Sequence, residues 1–315
     1  MKLNAVFNRD GGTFKTTDME AYCARATETF RRRGHELSCR IVEGKEIMKA
    51  LEEAADEAGV DGLIAGGGDG TISAAAGVAW KAGIPLGVVP AGTMNLFSRS
   101  LKLPLDIWQV LDTLAQSQVQ QVDIGTVNGR PFIHQFSAGM HARMVRMRNA
   151  MNFASRLGKM RANTRAAFGV MLQPPRFEVI FDIDGDGRNE QRDVSAISVS
   201  NNPFGSNPLF VADDVTTGKL GVYLADPLTP SGVAHLVYDI LRGRMQDNQA
   251  VTASTARIVK LHFPSHRKGA ACVVDGELLR MPRDVEVKLH PGELKVLALE
   301  PLSSAAKTET AVIKA

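Results

Sequence analysis

Gly66-Gly67-Gly68-Asp69-Gly70-Thr71 is the stretch around which this chain is organised. Ahead of it, residues 62–65 are short and apolar, as a buried parallel strand is. Behind it, residues 72–80 are rich in Ala and read as a helix that closes near Gly83. A strand, a glycine loop and a helix start together make a phosphate cradle. Without Cβ atoms the backbone turns tightly and presents its N–H groups, and the helix N-terminus adds partial positive charge. The spacing matches neither the dinucleotide fingerprint nor the P-loop. Asp69 is the unusual member, because phosphate repels a carboxylate. Such a residue persists more easily if it meets a cation or accepts a proton from an incoming hydroxyl, which is the logic of a phosphotransferase base. The same stretch also fits an ordinary strand-to-helix turn.

Upstream, residues 3–7 form a first strand and Asn8-Arg9-Asp10-Gly11-Gly12-Thr13 a second glycine loop. Thr17-x-x-Glu20 reads as a capping box opening a helix that buries Met19, Cys23, Ala26 and Phe30. Arg31, Arg32 and Arg33 fall at its C-terminal end, where a helix dipole favours cations, so they read as a solvated helix end rather than a nucleic-acid patch. Residues 36–42 are a strand and 45–58 a helix. Downstream, residues 85–89 are a buried strand entering the turn Pro90-Ala91-Gly92-Thr93-Met94-Asn95, and Asp106 caps a helix through Leu114. This alternation predicts a doubly wound parallel sheet. Two glycine turns at the carboxyl ends of consecutive strands define one crevice.

From residue 119 the pattern changes. Residues 119–127 and 131–137 flank Asn128-Gly129, a hairpin signal. Strand-like runs follow at 176–183, 194–200, 220–224, 257–263, 270–274, 285–289 and 294–299, predicting an antiparallel sandwich. The expected division is an α/β domain over 1–118, completed by 300–315, and a β-sandwich domain over 119–299. Residues 140–171 read as a basic helix carrying Arg156, Lys159 and Arg161, suited to an anionic bilayer or to packing on the sandwich. Asp182-x-Asp184-x-Asp186-Gly187 has the spacing of a calcium loop, but its strand-like flanks favour a polar hairpin turn.

The 315 residues are 44% hydrophobic and 23% charged, with a formal net charge of +3. That is a globular composition with a mildly basic balance. Three cysteines without C-x-x-C spacing read as reduced core thiols of a cytosolic protein. No signal-peptide pattern opens the chain, and no apolar run is long enough to span a bilayer.

Gly67-Gly68-Asp69-Gly70-Thr71, Pro90-x-Gly92-Thr93-x-Asn95 and Val274-Asp275-Gly276-Glu277 together resemble the diacylglycerol kinase catalytic-domain family. The chain is similar also to sphingosine and ceramide kinases, and more remotely to NAD kinases. The resemblance implies a nucleotide-binding α/β domain, a β-sandwich domain and a cleft between them. It implies Mg2+-dependent transfer of the ATP γ-phosphate to a lipid hydroxyl, such as that of diacylglycerol, at a membrane surface. By the same resemblance Gly66, Gly67, Gly68, Asp69, Gly70, Thr71, Thr93, Asn95 and Asn8 hold the nucleotide. Asp275 and Glu277 fall at catalytic carboxylates, with Asp69. Read alone, Asp275-Gly276 is a plain hairpin turn. One run departs from the family pattern: Asp-Asp-Gly-x-Leu-Asp is replaced by Thr216-Thr217-Gly218-Lys219-Leu220-Gly221, with Asp213 and Asp214 slightly upstream, so a Mg2+ site there needs a register shift or backbone carbonyls as oxygen ligands. The rival readings are an NAD kinase-like enzyme and a non-catalytic lipid- or nucleotide-binding protein. The expected location is cytoplasmic, peripheral at the inner membrane face, with no nucleic-acid partner.

Overall fold

The computed structural model describes residues 1–149, 173–265, 269–299 and 301–302. Its first four strands, β1 (Lys2–Asn8), β2 (Glu36–Val42), β3 (Gly62–Gly67) and β4 (Leu86–Pro90), are parallel in the order β2-β1-β3-β4. Between them run α1 (Met19–Arg32), α2 (Ile47–Ala55) and α3 (Asp69–Ala82). Every residue of β3 and β4 is buried, which explains their continuous apolar runs. The winding reverses between β1 and β3, so the carboxyl ends of these two strands open the crevice where such sheets take ligands.

Local chemistry refines the sequence expectation at two helices. Asp18, not Thr17, caps α1: its carboxylate accepts the N–H groups of Glu20 and Ala21, each at 3.1 Å, while the Thr17 hydroxyl turns back to the Thr13 carbonyl. Tyr22 is the fully buried aromatic of that helix, packed 5.3 Å from both Phe7 and Phe14; Met19 and Cys23 are only partly buried. Residues 44–46 form a 3-10 turn, so α2 starts later than expected. Two short helices, α4 (Leu96–Ser100) and α5 (Gln109–Leu114), follow β4, and Asp106 caps α5 as read from the sequence.

Next come β5 (Gln118–Val127) and β6 (Arg130–Phe132), joined at Asn128-Gly129 with φ of 47° and 79°. Such angles define the primed turn that hairpins prefer. Then follow β7 (Gln135–Gly139), α6 (Met140–Asn149), β8 (Phe177–Ile183), β9 (Glu190–Val194), β10 (Ala196–Ser200), β11 (Leu220–Ala225) and α7 (Pro230–Leu241). The last strands are β12 (Val251–Ala256), β13 (Ile258–His262), β14 (Ala271–Val274), β15 (Glu277–Arg280) and β16 (Asp284–Ala298). One sheet runs β12-β11-β10-β7-β14-β15, all antiparallel. It packs on the antiparallel part of the other sheet, β16-β13-β8-β9, around a core that includes Phe132, Phe136, Val199, Leu220 and Val259. That is the expected sandwich.

The two halves are not separate sheets. The runs at 285–289 and 294–299 are one long strand, β16, whose register shifts between His290 and Leu294. Its first half gives Val285, Val287 and Leu289 to the sandwich core, and its second half gives Leu294, Val296 and Leu297 to the α/β core. Val296 pairs in parallel with Leu86 of β4. β5 divides likewise, with Val122 and Ile124 in the first core and Val127 in the second. The boundary drawn at 118/119 therefore falls inside β5, the first of two strands that both cores share. A single bent sheet joins them.

Asp123 anchors this junction. It is 2% exposed, and its carboxylate accepts the N–H groups of Gly218 (2.8 Å) and Gly292 (2.9 Å) and the amide of Asn202 (2.7 Å). The departing run at Thr216-Thr217 thus closes on a buried carboxylate satisfied by neutral donors, and Asp214 caps it by accepting from Thr216. Asp123→Ala leaves three buried donors unpaired, each costing about 1–3 kcal/mol. Urea unfolding is expected to show a loss of at least about 3 kcal/mol, and a loss under about 1 kcal/mol would deny Asp123 that role.

The calcium-loop spacing at 182–193 forms the β8–β9 hairpin instead. Asp184 adopts φ 57° and accepts the Ile258 N–H at 3.0 Å. Among the described residues no group of three or more His, Cys, Asp or Glu side chains is arranged to hold a metal ion. Of the expected basic helix, only Met140–Asn149 is described; Arg156, Lys159 and Arg161 lie outside the described residues. No described helix is long and apolar enough to cross a membrane.

Candidate active site

Gly68 caps α3 in extended conformation, so the first-turn amides of Asp69, Gly70 and Thr71 have no carbonyl one turn back to bond. The glycines of the loop are required for two different reasons. A Cβ on Gly66 would lie 2.6 Å from the Phe7 ring, and one on Gly67 would lie 2.6 Å from the Thr71 Cβ. These two are packing glycines, with the missing Cβ of Gly66 directed at the Phe7 and Phe14 rings. Gly68 and Gly70 differ. A Cβ on Gly68 would meet nothing nearer than the Gly92 Cα at 3.7 Å, and one on Gly70 would meet nothing within 4 Å. Neither has a left-handed φ. The fold does not demand glycine there, whereas a ligand pressed against the backbone does.

The polar side chains of the crevice mostly brace its loops. Asn8, at the end of β1, donates its amide to the Thr71 hydroxyl at 3.0 Å. Asn95 stands at φ 51°, a conformation Asn tolerates, and its side chain closes the second glycine turn on both the N–H and the carbonyl of Gly92. A Cβ on Gly92 would fall 2.7 Å from the Gly68 Cα, so the two glycine turns press together. Thr93 is exposed at their rim. Asp69 meets backbone donors rather than a cation among the described residues. It accepts the N–H groups of Asn95 (3.1 Å) and Leu96 (2.6 Å), capping α4 and fastening one glycine turn to the other.

The sandwich reaches this crevice through Asp275. Asp275 and Gly276, at φ 46° and 83°, form the two-residue β14–β15 turn, so the plain hairpin reading is locally right. The side chain does more. It accepts the N–H groups of Ile133 (2.9 Å), His134 (2.9 Å) and Gln135 (3.0 Å), and its Oδ2 takes the Ser73 hydroxyl at 2.6 Å. Ser73 lies one turn after Asp69 on α3, on the same face. The sequence singled out neither Ser73 nor His134. The His134 ring is pushed below the ordinary imidazole range by burial, opposed by the Asp275 and Asp69 charges. One ring thus feels both carboxylates. Glu277 lies apart: it is exposed and forms a 2.6 Å ion pair with Arg130.

The fold and site define a two-domain α/β protein whose glycine crevice is closed by a sandwich hairpin. Residues 2–127 match the family model of the diacylglycerol kinase catalytic domain. A diacylglycerol kinase of Staphylococcus aureus is 27% identical over 232 residues, covering 72% of each chain. An uncharacterized protein of Synechocystis is 30% identical over 81% of this chain, which spans 60% of that relative's length. A solved diacylglycerol kinase from Bacillus anthracis has a TM-score of 0.69 at 16% identity, covering 96% of this chain and 98% of that one. Another solved chain of that strain reaches 0.75 at 19%, covering 96% of each, a likeness of fold.

Proposed function

We propose that this chain is an ATP-dependent lipid kinase that transfers the γ-phosphate to a lipid hydroxyl such as that of diacylglycerol. The observation that carries this reading is the bond from Ser73 to Asp275 beside the glycine crevice. A carboxylate offers about four lone-pair sites, and Asp275 fills them with three backbone N–H groups and one hydroxyl. The backbone donors are fixed by the β6–β7 turn. The hydroxyl alone is exchangeable, so Ser73 marks where an acceptor hydroxyl docks.

The glycine positions that packing leaves free, Gly68 and Gly70, fit close approach of a triphosphate to the α3 N-terminus. When bound there, ATP supplies the transferable phosphoryl group. The first-turn amides then orient the phosphates, Asp69 holds the two glycine turns in register, and Asp275 Oδ2 accepts the proton of the incoming hydroxyl. Mg2+ belongs to the same proposal as the companion of ATP, with no protein ligand assigned to it. Membrane attachment and a cytoplasmic location belong to the same proposal, because the acceptor is a bilayer lipid.

Glu277 fits a second role at the acceptor side. Its pair with Arg130 is exposed on both partners, and such pairs are worth only about 0–1 kcal/mol, so it opens at little cost. Glu277→Gln is expected to lower turnover by about tenfold to a hundredfold with ATP affinity unchanged, whereas Arg130→Gln leaves turnover within about twofold. Equal turnover for Glu277→Gln and wild type would remove Glu277 from the chemistry. The reading as a whole is tested with labelled ATP offered diacylglycerol, sphingosine, ceramide, polyprenol and NAD. Label in a lipid is expected; label in NAD alone, or in none, overturns it.

A further inference from the structure

Helix α7 exposes an apolar face that no described element covers. Val237, Tyr238 and Leu241 are 40%, 49% and 69% exposed, and the spacing of three and four residues from Leu241 puts them on one side. The adjoining side of the helix buries Val233 and Leu236. Apolar side chains this exposed and this close together mark an interaction surface rather than scattered surface residues. Two cations adjoin it. The Arg242 guanidinium lies 4.6 Å from the Tyr238 ring centroid, and Arg244 follows; both are exposed, and neither pairs with a carboxylate among the described residues. The one acid within the helix's last turn, Asp239, is turned to the Asn248 amide. An apolar face with cations at its edge matches an anionic bilayer.

What lies behind this face supports the same occupant. A cavity of about 340 Å³ sits at the end of α7, lined by Ile240, Met245, Phe204 and Phe210, with Arg244 and Asp213 among its polar members. Phe204 also touches the domain junction. Its ring is 5.9 Å from that of His134, whose N–H binds Asp275. Phe204 thus stands between the cavity at the helix end and the turn that holds the carboxylate. We infer that the C-terminal half of α7 docks on an anionic phospholipid bilayer, and that the acceptor lipid passes from it through the Phe204-lined cavity toward Asp275. This inference rests on the lipid-kinase reading and adds the surface and the route.

The test uses the full chain with vesicles of phosphatidylglycerol and phosphatidylcholine, read by co-sedimentation, alongside phosphorylation of long-chain diacylglycerol in those vesicles and of a water-dispersed short-chain diacylglycerol. Tyr238→Ser combined with Leu241→Ser is expected to reduce vesicle binding by at least about tenfold, the scale of removing two buried apolar side chains. Arg242→Gln is expected to remove part of the salt-sensitive binding. In the double variant, long-chain turnover falls with binding while short-chain turnover stays within about twofold, and an unchanged melting temperature shows that it folds. Unaltered vesicle binding by the double variant overturns the docking face, as does a wild-type dimer in light scattering that the same substitutions dissolve. If wild type binds vesicles through α7 but phosphorylates no lipid, the docking face stands and the kinase reading fails.

Discussion

Asp275→Asn is expected to lower phosphotransfer by about a hundredfold or more, with ATP affinity nearly unchanged. Asn tolerates the left-handed φ of 46° at this position, so the turn itself survives. The change acts on the oxygens. All four acceptor positions of Asp275 are filled by donors, and an amide replaces one oxygen by a group that itself donates. Either Ser73 and Ile133 or His134 and Gln135 then face an N–H2 group. A buried donor left without an acceptor costs about 1–3 kcal/mol, so stability is measured beside activity. Ser73→Ala separates the two effects. It removes the exchangeable donor but keeps the carboxylate, and is expected to hold turnover within about tenfold of wild type while Asp275→Asn does not. Matching losses for the two variants would make Asp275 a structural link between α3 and the β6–β7 turn.

Gly68→Val is expected to abolish nucleotide binding in a folded protein. The physical basis is the contrast within one loop. A side chain at Gly66 or Gly67 collides with Phe7 or Thr71 at 2.6 Å, so substitution there disrupts packing. At Gly68 the Cβ clears all protein atoms by 3.7 Å, and φ is −83°. The protein leaves room there for a Cβ, in the space a ligand lying against the backbone would occupy. Isothermal titration with ATP and thermal unfolding distinguish the cases. Lost binding with a melting temperature near wild type is the expected result; retained binding would place the phosphates elsewhere.

Much of the frame was legible because local and global signals agree. The α/β half announces itself through buried apolar strands, and Asn128-Gly129 forms the hairpin its residues demand. The shared strand β16 looks like two runs in the sequence because the bulge between His290 and Leu294 interrupts its apolar pattern. Helix α7 went unread, although Thr229 caps it and Pro230 stands at its first position, the usual opening of a helix. The site was legible as a set of motifs but not as a set of roles. Sequence motifs mark Asp69, Asn95 and Asp275 without saying which atoms each holds. Ser73 lacks a local signal of its own. It matters only because the chain brings Asp275 beside it across 202 residues. Contact of that kind comes from topology, and spacing along the chain does not carry it.

The measurement that tests the central claim most directly is a crystal structure with a non-hydrolysable ATP analogue. The phosphates are expected within hydrogen-bond distance of the Gly68–Thr71 amides, with the terminal phosphate on the side of α3 that carries Ser73 and Asp275. A nucleotide bound away from that crevice, or a crevice left empty at millimolar analogue, would contradict the account.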